Sequence, residues 1–254
     1  MRLNYKSFGQ GTPVIILHGL LGSLDNWQTF AKRLSSEFKV YTVDLRNHGR
    51  TVHNDVHTYQ AMADDLLEFF EEHQIQKAHL IGHSMGGKAA MQFAIEHTVR
   101  VLKLIIVDIS PRAYQGNHDE IFNALLELDL SHVTKRDEAD FALSKRISDV
   151  AVRQFLLKNL QRNSNDGFSW KMNLKGLWDN YDNINVPIHP VSQIEIPVIV
   201  IRGGKSGYVE DKDLDSFKEI FPQTKLITIP GAGHWVHAEA PDEFYNLVRA
   251  NLYN

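Results

Sequence analysis

The sequence predicts an α/β fold, in which helices cover both faces of a mostly parallel β-sheet. The first observation is a series of short, β-branched apolar runs without polar alternation, as expected of strands buried on both faces. The second is that longer amphipathic segments separate these runs, which is the alternation typical of this fold class. The predicted strands cover residues 14–17, 40–43, 79–81, 104–107, 198–201 and 226–229.

The segments between the strands carry helical patterns. In residues 59–70, Met62, Leu66 and Phe69 recur at helical spacing, which predicts an amphipathic helix with one apolar face. Pro241 precedes the last helical segment and suits the first turn of a helix. The predicted helices cover residues 27–34, 59–70, 84–95 and 242–252.

One long segment interrupts the alternation, because residues 112–195 contain no buried-strand run. Its patterns indicate helices at 120–128 and 152–160, a polar turn at 163–167 and a hairpin-like stretch at 168–174. A connection of this length is uncommon as a plain loop. We therefore predict a core formed by residues 1–111 and 196–254, with residues 112–195 inserted as a small, mainly helical cap.

Composition excludes several classes of partner. The 254 residues are 43% hydrophobic and 23% charged, with a net charge of −4, which is ordinary for a soluble globular protein. The charges are mixed along the chain, so no basic face predicts a nucleic-acid partner. The chain has no cysteine, which excludes disulfides, thiolate nucleophiles and cysteine metal sites. The sequence does not indicate an oligomeric state.

Apolar runs in the sequence are all short. The amino terminus lacks an apolar segment of signal-peptide length, and no run approaches the length of a membrane span. We therefore expect a cytoplasmic protein without a membrane span.

A candidate nucleophile lies in the segment Gly82-His83-Ser84-Met85-Gly86, which matches G-x-S-x-G. The predicted strand before it and the predicted helix after it place Ser84 on a sharp strand-to-helix turn, as this motif requires. Such a turn strains the serine backbone and leaves no space for side chains at Gly82 and Gly86. The alternative is a serine that only caps the helix.

Three segments carry a resemblance to a known family. They are HGLLGSLDNW at 18–27, DLRNHG at 44–49 and GHSMGGK at 82–88. With the order of strands and helices over nearly the whole chain, they resemble the α/β-hydrolase superfamily, and more narrowly the bacterial YbfF-type esterases. Mammalian ABHD-type hydrolases share much of the pattern. The resemblance implies the α/β-hydrolase fold and short to medium acyl esters as substrates, with acyl-CoA thioesters as a further class.

The resemblance also implies an oxyanion hole. In the family, one backbone N–H comes from the glycine-rich loop after the first parallel strand, and one comes from the residue after the nucleophile. By position these residues are Leu20 and Met85. Two fixed donors stabilise charge that develops only in the transition state. The alternative is a plain strand-to-helix turn, in which Asn26 caps the next helix.

The predicted general base is His234, in the glycine-rich segment Gly231-Ala232-Gly233-His234 after the last strand. In this fold the triad follows the chain order Ser, acid, His, which His234 satisfies. An imidazole suits the role because its ordinary pKa lies near 6.5. His237 is the alternative, although it is expected near a helix start, facing away. His18 comes too early in the chain for this role.

The acid has two candidates. In many relatives it lies in a Gly-x-x-Asp turn after the strand at 198–201, but here the turn is Gly203-Gly204-Lys205-Ser206 and lacks the aspartate. Asp108 directly follows the strand at 104–107, at the edge where ligands bind parallel sheets. We predict Asp108 as the acid, with Asp211 as the alternative. Asp108 could otherwise only cap the loop before Pro111.

Several other polar and aromatic residues have weaker interpretations. Asp44 and Arg46, in a loop with His48 and Gly49, are expected to order the loops of the site, whereas Asp64 and Asp65 are expected in solvated helix positions. Trp235, beside the predicted base, is a candidate substrate-binding residue. The aromatic residues Trp178 and Tyr181 of the predicted cap are further candidates for the pocket lining, although aromatic side chains are more often core.

Together these residues predict two-step acyl transfer. The expected reaction is hydrolysis of a small-molecule ester or thioester by Ser84, His234 and Asp108, without a metal or organic cofactor. One alternative is different chemistry at the same site, such as carbon–carbon bond hydrolysis or perhydrolysis. The other is a non-catalytic ligand-binding protein on the same fold.

Overall fold

A parallel β-sheet with one antiparallel edge strand organises the structure, a computed structural model that describes residues 1–163, 167–189 and 192–253. Within these residues the main sheet has seven strands, which are β1 (Asn4–Phe8), β2 (Pro13–Leu17), β3 (Lys39–Asp44), β4 (Ala78–His83), β5 (Val101–Val107), β8 (Val198–Gly203) and β9 (Thr224–Ile229). Their order in the sheet is β1-β3-β2-β4-β5-β8-β9. β1 pairs antiparallel with β3, and the other neighbours are parallel.

Each predicted strand and helix of the core has a counterpart, with small shifts at the ends. The helix predicted at 27–34 begins as a 3₁₀ turn, Leu24–Trp27, and continues as an α-helix. The α-helices that pack on the sheet are α1 (Gln28–Leu34), α2 (Tyr59–Glu72), α3 (Met85–Glu96), α9 (Asp213–Ile220), α10 (Val236–Glu239) and α11 (Pro241–Tyr253).

The sheet buries both faces, as the apolar runs predicted. Along β2, Val14 and Ile16 belong to one apolar cluster, while Ile15 and Leu17 belong to the other. All six residues of β4 are buried. Because successive side chains of a strand point to opposite faces, this alternation shows helices on each side. The predicted α/β-hydrolase architecture therefore has a continuous apolar core on both faces of its sheet.

The strand β1 has no counterpart in the prediction. Its sequence, NYKSF, is polar and only partly buried, because it forms the edge of the sheet. It forms by pairing with the exposed edge of β3, from Asn4 opposite Asp44 to Phe8 opposite Val40. An edge strand with an exposed face lacks the continuous apolar run that identifies a central strand.

The regular secondary structure of the predicted cap, residues 112–195, is mainly helical where it is described. Its helices are α4 (Asp119–Leu126), α5 (Arg136–Ser144), α6 (Val150–Leu157), α7 (Leu174–Asp179) and α8 (Tyr181–Asn185). The hairpin-like stretch forms β7 (Phe168–Trp170), which pairs with β6 (Leu160–Arg162). The middle of the polar turn predicted at 163–167, residues 164–166, lies outside the described residues, as do residues 190 and 191.

One buried lysine joins the two ends of this segment to the core. The Lys88 side chain on α3 is fully buried, and its Nζ donates to the carbonyl oxygens of Arg112 at 2.7 Å and Val186 at 2.6 Å. Arg112 begins the cap segment, and Val186 follows its last helix, α8. Lys88 therefore holds both connections of the cap segment against the helix that begins beside Ser84.

Candidate active site

Ser84 lies on the tight turn between β4 and α3. Its backbone is strained, with φ of +52°, a conformation that costs about 1–3 kcal/mol and that persists mainly at functional sites. A Cβ added at Gly82 would lie 2.3 Å from the carbonyl oxygen of Gly86, and one at Gly86 would lie 2.5 Å from that of His18. The glycines are therefore required by close chain packing, as the motif predicted.

Asp108 and His234 form a hydrogen-bonded pair. The carboxylate of Asp108 is fully buried, and its Oδ2 accepts a hydrogen bond of 2.8 Å from Nδ1 of His234. A carboxylate only accepts, so Nδ1 carries the proton, and Nε2 of the neutral ring has the free lone pair. The His234 ring also stacks on Tyr208, with 4.0 Å between ring centroids. The geometry thus fixes both the orientation and the tautomer of His234.

Two further donors hold the Asp108 carboxylate. The backbone N–H of Gly203 donates to Oδ1 at 3.1 Å, and the hydroxyl of Ser206 donates to Oδ2. Ser206 occupies the position of the aspartate in the Gly-x-x-Asp turn of many relatives. The absence of that aspartate is the sequence feature that could have identified Ser206 as a site residue. Asp211 is 90% exposed and pairs with Arg202, which removes it from the site.

Two backbone N–H groups near Ser84 fit the predicted oxyanion hole. Leu20 and Met85 line the same cavity as Ser84, and Met85 is the first residue of α3. In the described part of the chain, neither N–H donates a hydrogen bond to a protein acceptor. The next residue, Leu21, has φ of +57°, and its N–H donates to Nε2 of His48 at 3.1 Å. This bond fixes the loop that carries Leu20.

The histidine before the nucleophile contacts the loop of the base. His83 is buried, and its Nε2 donates to the carbonyl oxygen of His234 at 2.9 Å. Burial, with the nearby His234 and His237, lowers the pKa of His83 well below its usual value. His83 therefore stays neutral and positions the backbone of His234. Its role was not predicted, since the motif specifies only the glycines and the serine.

The loop at 44–49 is structural, as expected. Asp44 accepts hydrogen bonds from the backbone N–H groups of Leu24 at 2.7 Å and Arg50 at 2.9 Å. Arg46 forms a two-pronged ion pair with Asp65, at 2.7 and 2.9 Å. The prediction of a solvated Asp65 is wrong, because this side chain is 1% exposed. Helical periodicity could not show that Asp65 faces a buried arginine from a distant loop.

His237, the alternative base, faces another part of the core. Its ring stacks on Trp27, with 4.1 Å between centroids, and it lines a cavity that does not include Ser84. Burial lowers the pKa of His237 to about 3, with a smaller effect from His234. The His18 ring is also structural, because its Nε2 accepts from the backbone N–H of Leu45 at 3.0 Å.

A cavity lined by residues of the core and of the predicted cap has two compartments that meet at Ser84. The first includes Tyr181 of the predicted cap. The second includes His234 and Trp235. Trp178 does not line either compartment and instead packs against Tyr181. Two of the three candidate aromatic residues therefore lie at the cavity.

Two features are absent from residues 1–163, 167–189 and 192–253. No group of three His, Cys, Asp or Glu side chains is placed to hold a metal ion. No helix in these ranges combines the length and the apolar composition that a membrane span requires.

Comparison with known proteins places the chain in a family. Residues 12–241 match the model of the alpha/beta hydrolase fold family. Esterase YbfF of Escherichia coli is 39% identical over 95% of this chain and 93% of its own length. The sn-1-specific diacylglycerol lipase ABHD11 of Mus musculus is 35% identical over 94% of this chain and 80% of its own.

A solved structure described as a marine microorganism esterase is 41% identical and covers 98% of both chains, with a TM-score of 0.96. The resemblance carried by residues 18–27, 44–49 and 82–88 is thus confirmed over nearly the whole chain. On these matches and on its sheet topology, the chain belongs to the alpha/beta hydrolase fold family.

Proposed function

We propose that this protein is a serine esterase that hydrolyses small to medium acyl esters through an acyl-enzyme. The observation that carries the proposal is the buried Asp108–His234 pair at the cavity that contains the strained Ser84. A nucleophile, an oriented imidazole and a buried carboxylate are the parts that acyl transfer by serine requires. Acyl thioesters are a second substrate class for the same chemistry.

In the first step, the Oγ of Ser84 attacks the ester carbonyl carbon, and Nε2 of His234 takes the hydroxyl proton. The carbonyl oxygen becomes an oxyanion, which accepts hydrogen bonds from the N–H groups of Leu20 and Met85. The carbon–oxygen bond to the alcohol then breaks, and His234 returns its proton to the departing oxygen. Asp108 stabilises the imidazolium during this step.

In the second step, water replaces the alcohol. His234 takes a proton from the water as its oxygen attacks the acyl-Ser84 carbonyl carbon, and the same two N–H groups hold the new oxyanion. The bond to Oγ breaks, the proton returns to Ser84, and the carboxylic acid leaves. Each proton removed by His234 is given back, so the cycle needs no other reactant than ester and water.

Similar proteins support the ester as the substrate class. The names of Esterase YbfF and of the marine microorganism esterase describe enzymes that hydrolyse esters. The name of ABHD11 describes a lipase that acts on diacylglycerol. All three exceed 30% identity over most of this chain. The cavity itself supports an uncharged substrate, since its described lining includes no Asp, Glu, Lys or Arg.

The test is hydrolysis of p-nitrophenyl esters from acetate to palmitate, with an acyl-CoA series measured in parallel for thioesters. We expect turnover of the shorter esters by the wild type and loss of turnover in Ser84→Ala. Hydrolysis of a diketone without hydrolysis of any ester would assign carbon–carbon bond cleavage instead. Turnover that survives in Ser84→Ala would refute the serine mechanism.

A further inference from the structure

His118, a cap residue, lies where the two compartments of the cavity meet. It lines both of them, together with Leu20, Ser84 and Tyr208. The compartments differ in chemistry. The first has a mixed lining, in which polar side chains accompany Met85, Ile109 and Ile184, and we call it the polar compartment; its polar side chains are Tyr59, Tyr114, Gln115, Asn117, Tyr181 and Asn185. Apolar side chains dominate the second, from Ile121, Val152, Phe155, Leu156 and Trp235.

A network around Tyr181 determines the tautomer of His118. The Tyr181 hydroxyl oxygen accepts hydrogen bonds from the backbone N–H groups of Asn117 at 3.1 Å and His118 at 3.2 Å. The same hydroxyl lies 2.6 Å from Nδ1 of His118. Both lone pairs of the oxygen are used, so the hydroxyl gives its one hydrogen to Nδ1. The neutral ring therefore carries its hydrogen on Nε2.

The Nε2–H of His118 is a donor without a protein acceptor among the described residues, where the hydrogen bonds of the ring involve Nδ1 alone. Burial, with a smaller effect from the nearby His234, lowers the pKa of His118 to about 4. The ring is thus neutral near pH 7 and remains so when His234 carries a proton. It is suited to donate to a neutral oxygen rather than to pair with a carboxylate.

The position of His234 orients the ester in the cavity. The departing oxygen must lie beside Nε2 of His234 to receive its proton, and His234 lines only the apolar compartment. The alcohol part of the ester therefore extends into the apolar compartment. The acyl part, on the other side of the reacting carbon, extends into the polar compartment and passes His118.

We propose that the polar compartment is an acyl subsite, in which His118 Nε2–H donates to an uncharged acceptor oxygen on the acyl group. The preferred substrates are then esters of short acids that carry an ether or keto oxygen near the reacting carbonyl. This inference rests on the proposed esterase function and adds a specificity determinant to it.

The test uses two pairs of p-nitrophenyl esters that differ by an oxygen in the acyl chain. Methoxyacetate is compared with butanoate, and 4-oxopentanoate with pentanoate, so the leaving group is constant. The measured quantity is the ratio of kcat/KM within each pair, for wild type, His118→Phe and His118→Gln. Comparison of the same ratio between variants removes the intrinsic reactivity of each ester.

We expect the oxygenated-to-plain ratio of kcat/KM for at least one pair to fall about 2- to 13-fold in His118→Phe, the range for one neutral hydrogen bond. His118→Gln places an amide N–H near the position of Nε2 and should restore much of the ratio. The Asn side chain is shorter than that of Gln, so its amide should not reach the acyl oxygen. His118→Asn should therefore lower the ratio as His118→Phe does, which provides a second loss variant if Phe disturbs folding.

Three results would overturn the inference, and they are distinct. Unchanged ratios in both loss variants, with the esters still hydrolysed, would show that His118 does not bind the acyl oxygen. An equal fall in kcat/KM for all four esters would show that His118 has a general role in the reaction and does not select the acyl group. Failure of the wild type to hydrolyse any of the four would refute the esterase function and the subsite together.

Discussion

His83 donates the hydrogen of its Nε2 to the main-chain carbonyl oxygen of His234 across 2.9 Å, and the two rings lie 4.7 Å apart. The residue before the nucleophile thus holds the loop of the predicted base. Since Ser84 follows His83 directly, one short segment sets the relative positions of the two reacting side chains. Displacements of about 1 Å in such pairs can lower rates about 10²-fold.

We therefore predict that His83→Leu lowers kcat about 10-fold or more for p-nitrophenyl acetate, because the lost hydrogen bond positions His234. His83→Gln retains an N–H donor and should lose less. Steady-state kinetics of both variants provide the check. A kcat of His83→Leu within twofold of wild type would contradict this positioning role.

The choice of acid gives a second prediction. Asp108→Asn cannot fix the imidazolium of His234, so kcat should fall about 10²- to 10⁴-fold. Asp211→Asn is the matched control, because Asp211 is exposed and bonded to Arg202. Its kcat should stay within twofold of wild type. Equal losses in the two variants, measured on the same ester, would argue against Asp108 as the acid.

Ser206 gives a third prediction. Among the described residues, its hydroxyl is one of two groups besides His234 that donate to the Asp108 carboxylate. A hydrogen bond to a charged group contributes about 1.5–3 kcal/mol, so Ser206→Ala should lower kcat about 10- to 100-fold. Ser206→Thr keeps the hydroxyl and should be milder. Wild-type kinetics of Ser206→Ala would show that Gly203 and His234 suffice to hold the carboxylate.

Lys88 gives a prediction about stability and pH. Burial lowers the pKa of Lys88 from 10.5 to about 7, and the neighbouring Arg112 acts in the same direction. Between these values the unfolded chain binds more protons than the folded chain, so the contribution of Lys88 to the free energy of unfolding rises with pH. As pH falls from 10.5 toward 7, that contribution is lost.

The comparison is wild type with Lys88→Met, by chemical denaturation at pH 7, 8 and 9. The difference in the free energy of unfolding should shift in favour of the wild type as pH rises, by at most about 1.4 kcal/mol per pH unit. Other titrating groups are common to both proteins and cancel in the difference. A difference that does not change with pH would contradict a buried, mostly neutral Lys88.

Local signals were enough to predict the core strands and to propose Ser84 and His234 as site residues. A buried parallel strand leaves an apolar run, and the elbow needs its glycines, so both appear in the sequence as short patterns. The prediction of Asp108 as the acid needed the order of the triad residues along the chain as well as the position of Asp108 after a strand. By contrast, β1 pairs through its backbone at an exposed edge, and Asp65 is buried only because Arg46 reaches it from another loop.

Contacts between distant segments account for the rest of the site. Ser206 bonds to Asp108, which is 98 positions earlier, and His83 bonds to His234, which is 151 positions later. Neither pairing has a local pattern, since each depends on how neighbouring strands end at the same edge of the sheet. The orientation of His118 likewise depends on Tyr181, a partner from another helix of the cap segment.

The most direct test of the central claim is labelling with a fluorophosphonate probe, followed by peptide mass mapping of wild type, Ser84→Ala and His234→Asn. We predict one adduct on Ser84 in the wild type, no adduct in Ser84→Ala, and labelling of His234→Asn slowed at least about 100-fold, because the hydroxyl loses its base. An unlabelled wild type, or an adduct on another residue, would contradict the assignment of Ser84 as the activated nucleophile.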